Sequence, residues 1–217
     1  MRIEGLVGVG RRSDDQEAPP RLGNQGEQIV AELNPKYYEQ TMRGNAFIYT
    51  MGTAASIVAP GTAGFPNLWN PLGSGKLCIL TKITWQVAAV GTPAVSGFQY
   101  AYLPNAGAQV GTASPVLTGA YSNTVGVYNL LLGSGNVSVM KYLGVAATMT
   151  TAPTVFAAAG LNLGSTGTQT PWTAWDDIDG RIVIPPGVLF QVGASTTTST
   201  TFSISIYGIE IPIPLTA

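Results

Sequence analysis

RIVIPPGVLFQVGASTTTSTTFSISIYGIEIPIP, residues 181–214, carries the clearest strand periodicity in the chain. Ile182 and Ile184 lead into Pro185, Pro186 and Gly187, a turn signal that reads as the punctuation of a hairpin. Beyond it Val188, Phe190 and Val192 fall on one face of an extended chain, and Leu189 and Gln191 on the other. Phe202, Ile204 and Ile206 then alternate with Ser203, Ser205 and Tyr207. That period of two sets an apolar face against a hydroxyl face, which the 3.6-residue turn of a helix would scramble. At Gly208 the apolar residues change phase, because Ile209, Ile211 and Ile213 occupy odd positions. A one-residue slip beside a glycine predicts a β-bulge in this strand. The exit at residues 211–215 has no charge to blunt an exposed edge, so cover by the N-terminal segment or by a neighbouring subunit is expected.

Upstream the same signals recur. Phe47, Tyr49 and Met51 alternate, and residues 60–75 read as a long Gly/Pro-rich surface loop holding Phe65, Leu68 and Trp69. Leu77, Ile79, Thr81, Ile83, Trp85 and Val87 define one face of a second strand, with Cys78, Leu80, Lys82, Thr84 and Gln86 on the other. Both faces are largely uncharged, as in a strand central to a sandwich. Phe98, Tyr100 and Tyr102 mark an aromatic strand, and weaker strands are predicted at 126–132, 136–143 and 153–159. Short strands at regular intervals, with no heptad or solenoid repeat, predict an all-β fold: a jelly-roll-like β-sandwich of about eight strands with an extended N-terminal arm. The expected organisation is an arm and lead-in at 1–45 and the sandwich at 46–217. At 217 residues such a body hides roughly 70% of its extended-chain surface, enough for a substantial core.

Charge is distributed unevenly. Residues 1–45 hold six of the ten basic side chains and seven of the eleven acidic ones, leaving four of each for the remaining 172 residues. An ordinary soluble domain is about one quarter charged, so the body must be covered by Thr, Ser, Gly, Ala, Asn and Gln. A neutral exterior of this kind suits a protein whose surface meets other subunits or works across a wide range of salt. With a net charge of −1 and a pI near 5.3, no basic patch exists to neutralise a row of phosphates, so nucleic acid is not an expected partner. The opening MRIEGLVGVGRRSDDQE lacks an apolar signal region and no stretch is long and apolar enough to span a bilayer, so no membrane is expected and the mature chain is expected to begin at Met1, made in a cytoplasm. Residues 1–24 read as a flexible arm.

Chemistry is sparse. The chain has no histidine, which removes Ser-His-Asp and Cys-His catalysis and imidazole zinc sites. Cys78 is the lone cysteine, so no intrachain disulfide can form, and between Leu77 and Ile79 it reads as a packed side chain. Gly73-Ser74-Gly75-Lys76 lacks the first glycine and the final hydroxyl of a phosphate loop and reads as a turn before a strand. The one acidic cluster is Asp176, Asp177 and Asp179, between Trp175 and Gly180 and near Trp172. Three carboxylates in a loop are weak candidates for a hard cation such as Ca²⁺, although the spacing is not that of an EF-hand. Asp176 or Asp179 with Glu210 would be the alternative, a glycosidase pair with Trp172 and Trp175 stacking on sugar. A solvated loop whose tryptophans cap the core is the simpler reading. No cofactor and no catalytic residue is expected.

Arg21, Gly23, Gln25-Gly26-Glu27, Glu32-Leu33, Tyr37-Tyr38-Glu39 and Arg43-Gly44-Asn45 together resemble the opening of structural proteins of tailed bacteriophages. The resemblance covers residues 21–45 and transfers no residue's role. At the level of fold, strands joined through IPPG beside a long C-terminal strand resemble the jelly rolls of viral and cement proteins. Together they imply a non-enzymatic virion protein: a decoration (cement) protein on the capsid surface, assembled in the host cytoplasm, with the major capsid protein as partner and a homotrimer as the expected state. Arg21, Tyr37, Tyr38 and Arg43 are the candidate partner-binding residues. A tail-fibre or receptor-binding module contacting glycans through its Trp-bearing loops, a single jelly-roll coat protein and a carbohydrate-active enzyme stand as alternatives.

Overall fold

The computed structural model describes residues 36–89, 97–104, 117–118, 122, 124–144, 148–149, 151–160, 173–195 and 200–213. The predicted flexible arm lies outside them. The chain separates into two compact units, Met1–Glu39 and Gln40–Ala217. One short helix, α1 (Tyr38–Met42), precedes the strands. These are β1 (Ala46–Thr50), β2 (Ala55–Ser56), β3 (Asn67–Asn70), β4 (Lys76–Ala89), β5 (Gly97–Leu103), β6 (Leu117–Thr118) and β7 (Val127–Asn129). There follow β8 (Lys141–Leu143), β9 (Thr148–Met149), β10 (Thr154–Gly160), β11 (Thr173–Asp177), β12 (Val183–Ile184), β13 (Val188–Ala194) and β14 (Thr201–Pro212).

Among the described residues pairing is antiparallel, and besides the small β6-β9 pair it defines two facing sheets, ordered β11-β4-β14-β1-β7 and β10-β5-β13-β3-β8. Setting aside the short β2, β6, β9 and β12 and the added β7 and β8, eight strands remain: β1, β3, β4, β5, β10, β11, β13 and β14. In chain order, the first, eighth, third and sixth form one sheet and the second, seventh, fourth and fifth form the other. That is the strand order of a jelly roll. The insertion between β5 and β10 supplies β7 and β8, which extend the two sheets beside β1 and β3.

Alternation explains the core between the sheets. Trp85 of β4 stacks on Phe98 of β5 with ring centroids 4.8 Å apart, and Phe98 meets Phe202 of β14 edge-on at 5.2 Å. Tyr100 of β5 and Phe190 of β13 continue the aromatic row at 5.7 Å. Trp85 and Phe202 of the first sheet meet Phe98 of the second, whereas Tyr100 and Phe190 lie on neighbouring strands of the second sheet. Burying one such ring contributes about 1.5–3 kcal/mol over leaving it exposed. The far face of the second sheet is also covered: Trp69, Leu103, Met149 and Leu189 form a separate buried cluster there.

The stretch 181–214 differs from the predicted hairpin. β12 pairs with β4 in the first sheet, β13 with β3 and β5 in the second, and β14 with β1 and β4 in the first again. Pro185 and Pro186 offer no N–H to a ladder, and Gly187 takes φ 82°, so the chain leaves one sheet and enters the other. The last strand is therefore central, not an exposed edge. Nor does β14 slip at Gly208. Its inward positions run Phe202, Ile204, Ile206, Gly208 and Glu210, all buried. The register shift beside Gly208 belongs to β4, because Tyr207 faces Lys82 and Gly208 faces Leu80, leaving Thr81 as the extra residue. Cys78 and Leu80 point inward before that bulge, and Ile83, Trp85 and Val87 after it. Residues 60–75 are not a surface loop either, since they contain β3, whose four residues are all buried. Asn67 and Asn70 look like loop residues but satisfy buried backbone. Asn67 donates to the carbonyl of Gly64 at 2.8 Å, and Asn70 to those of Lys76 and Ile184 at 2.8 and 2.9 Å.

Candidate functional site

The strand β11 lies at the edge of the first sheet, paired to β4 through Thr173↔Gln86 to Asp177↔Lys82. Alternation sends its two aspartates to opposite faces. Asp176 accepts the hydroxyl of Tyr100 at 3.0 Å and faces Arg181 at 3.3 Å. Burial and the nearby Asp176 carboxylate push the Tyr100 phenol well above its ordinary range. Asp177 faces Lys82 at 3.5 Å on the outside. Trp175, 59% exposed, lies on that outer face with the Lys82 ammonium 5.1 Å from its ring centre. Asp179 occupies the following turn with φ 49°. The cluster is thus divided among separate partners, and among the described residues no group of three His, Cys, Asp or Glu is placed to hold a metal ion. Trp172 lies outside the described residues.

Glu210 is elsewhere. It sits opposite Cys78 on β4, while Asp176 sits opposite Ile83, five residues further along that strand. At ~3.3 Å per residue the separation is roughly 15 Å, beyond the about 5–9.5 Å of glycosidase carboxylate pairs. Glu210 is also 0% exposed. Its Oε1 accepts the hydroxyls of Tyr49, at 3.1 Å, and Ser138, together with the N–H of Met140 at 3.4 Å. Its Oε2 accepts the ammonium of Lys76 at 3.3 Å and the N–H of Val139 at 3.1 Å. Burial and this carboxylate push the Tyr49 phenol and the Cys78 thiol upward, so the lone cysteine is held as an inert thiol. The centre ties β1, β4, β14 and the segment before β8 into one network. The sequence carried a sign of it: position 210 continues the inward even-numbered face of β14, so a carboxylate there had to be buried and paired.

The other arm residues are partly placed. Tyr37 lies under the Lys36 ammonium, 5.3 Å from its ring centre, Tyr38 is exposed on α1, and Arg43 is exposed in the turn that follows. Arg21 lies outside the described residues.

An apolar groove was not legible in the sequence. It measures about 420 Å³ and runs between β5 and β10 on one side and residues 181–188 on the other. Tyr102, Phe156, Arg181, Ile182, Val183 and Val188 are among the residues that line it. β10 is the edge strand of its sheet, reads TVFAAAG without a charge, and leaves Val155 and Phe156 exposed, the latter by 47%. Forming it took residues from three segments distant in the chain.

The fold places the chain in the class of all-β jelly-roll proteins. No protein family and no curated protein matches the sequence. Among solved structures, a chain of the mud crab dicistrovirus cryo-EM structure aligns with 100% of this chain and 94% of its own length, at 9% identity and a TM-score of 0.26. A chain from the heated full particle of Israeli acute paralysis virus aligns with 97% of this chain and 96% of its own, at 12% identity and a TM-score of 0.20. At these scores the jelly-roll assignment rests on the strand order of this chain alone. No described helix is long and apolar enough to cross a membrane.

Proposed function

We propose that this is a non-enzymatic virion structural protein, a decoration protein that binds the outer surface of a tailed-phage capsid as a homotrimer and stabilises contacts between capsomers. The observation that carries this reading is the edge strand β10. It is uncharged, exposes Val155 and Phe156, and borders an apolar groove, whereas monomeric proteins normally blunt such an edge with charge. The body's charges are meanwhile drawn into local pairs, Lys76 with Glu210, Lys82 with Asp177 and Arg181 with Asp176, while Lys141 sits 5.7 Å from the Trp69 ring centre. In this reading the β10 edge meets a sister subunit, and Arg21, Tyr37, Tyr38 and Arg43 grip the major capsid protein, burying their side chains on assembly.

Two measurements test it. Mass photometry should find trimers of the wild-type chain and monomers of Phe156→Lys. Particles assembled without the protein should release their genome at lower temperature than complete ones. Equal robustness of the two particles, with the protein located at the tail tip, would sink the proposal. Exposed Trp175 favours a second reading, a receptor-binding module, for which saturable glycan binding lost in Trp175→Ala is the distinguishing result.

A further inference from the structure

The sandwich has a second cavity at its other edge, where β7 and β8 extend the sheets. It measures about 820 Å³, within the about 300–1,000 Å³ usual for small-molecule sites. Thr50, Thr53, Ser122, Tyr128 and Tyr142 bring hydroxyls to its lining, and no charged residue is among the described residues that form it. Tyr142 is 3% exposed, yet its hydroxyl has no hydrogen-bond partner among the described residues. Buried polar groups in native folds are nearly always paired, so a buried, unpaired hydroxyl on a residue that lines a cavity points to a ligand group.

Two glycines let the backbone pack closely around the Tyr142 ring. A Cβ at Gly126 would lie 2.5 Å from the carbonyl of Thr50 and 3.2 Å from the Tyr142 ring. At Gly144 it would lie 3.1 Å from the ring and 3.4 Å from the hydroxyl. Ser122 Oγ is fixed nearby by the N–H groups of Thr124 and Val125, at 3.1 and 2.9 Å, and shares a hydrogen bond with Thr124 Oγ1 at 3.2 Å. Tyr128 stands exposed on the rim. Anionic ligands need cations or a ring of N–H donors, and among the described residues the lining has no cation. Hydroxyls beside an exposed aromatic face and small apolar residues such as Ala54 and Ala55 match a ligand with hydroxyl edges and C–H faces.

We propose that this cavity binds a short neutral saccharide, with the Tyr142 hydroxyl as its buried hydrogen-bonding group and the Tyr128 ring as its stacking wall. The site is independent of the β10 edge and of the decoration role. The test is calorimetric titration of the full chain with the methyl glycosides of glucose, galactose and N-acetylglucosamine and with maltose. Saturable binding in the millimolar range is expected for at least one. It should weaken about tenfold in Tyr142→Phe, the loss expected when one buried hydrogen bond of about 1.4 kcal/mol is removed, and disappear in Tyr128→Ala. Tyr142→Phe removes only an unpaired hydroxyl, so its melting temperature should equal or exceed that of wild type, separating lost binding from lost fold. Wild-type affinity in Tyr142→Phe overturns the proposal, as does no saturable binding of any of these sugars. Preferential binding of a neutral Gly/Ser/Thr peptide also overturns it and would assign the cavity to a protein segment.

Discussion

The hydroxyl of Tyr49 on β1 donates to the Glu210 carboxylate on β14 at 3.1 Å, with neither side chain reaching solvent. Five donors converge on that carboxylate, two of them the N–H groups of Val139 and Met140. A buried charge so paired contributes less by its attraction than its removal costs, because its partners are left desolvated. Glu210→Gln keeps the volume but turns an NH₂ group toward donors and strands Lys76. It should lower stability by about 3 kcal/mol and Tm by roughly 6–12 °C. A urea titration should show a lower midpoint with an unchanged slope, and an unshifted midpoint would refute the role assigned to the centre.

Alkaline pH acts on the buried core with a definite sign. Tyr49, Tyr100, Tyr142 and Cys78 all have folded-state pKa values raised by burial. The native state therefore holds its protons where the unfolded chain gives them up. Stability is fully present below the unfolded values, about 8.5 for Cys and about 10 for Tyr, and falls as pH rises past them. The loss approaches about 1.4 kcal/mol per pH unit for each group discharged only on unfolding. Urea midpoints measured from neutral pH to pH 11 should be flat to about pH 8.5 and then drop, and Cys78→Ala should delay the start of that drop.

Gln191 secures the covering of the second sheet. Its amide accepts the N–H of Gly61 at 2.8 Å, and donates to Gly64 O at 2.9 Å and Asn67 Oδ1 at 2.8 Å, the last two bonds being buried. Gln191→Leu removes these bonds and leaves the partners unpaired, at a cost of about 2–4 kcal/mol. Limited proteolysis should then cut near residues 60–64 before the rest of the body, whereas the wild type should resist there.

Surface ion pairs should matter little. Lys82 and Asp177 are both exposed and 3.5 Å apart, and such a pair is worth about 0–1 kcal/mol. Lys82→Met should change stability by less than about 0.5 kcal/mol, and raising salt from ~0.05 to ~1 M should leave the difference between the two proteins essentially unchanged. A large salt-dependent difference would mean that the pair is far less screened than its exposure implies.

The strands themselves were legible because period-two alternation is a local property. Phe47 and Tyr49, Phe98 and Tyr100, and Phe202 to Ile206 point inward as their spacing dictates. Local pattern misled where a polar residue serves the interior. Asn67 and Asn70 read as loop, and Glu210 as one carboxylate of the alternative glycosidase pair, because a buried polar group looks available until its partners are known. Those partners are Gln191, Ile184, Tyr49 and Ser138, distant in the chain.

By itself, then, the sequence determined that this is a β-sandwich with a nearly uncharged body and without histidine chemistry, since hydrophobic period and composition are written residue by residue. The tertiary structure decided which strands are central and which are edges. It placed the phase slip at Thr81 on β4, moved the final strand into the middle of its sheet, and left β10 as the apolar edge. It also drew Tyr142, Tyr128 and Ser122 around one cavity. Those outcomes depend on long-range pairing between segments, and no local pattern encodes which segment will lie beside which.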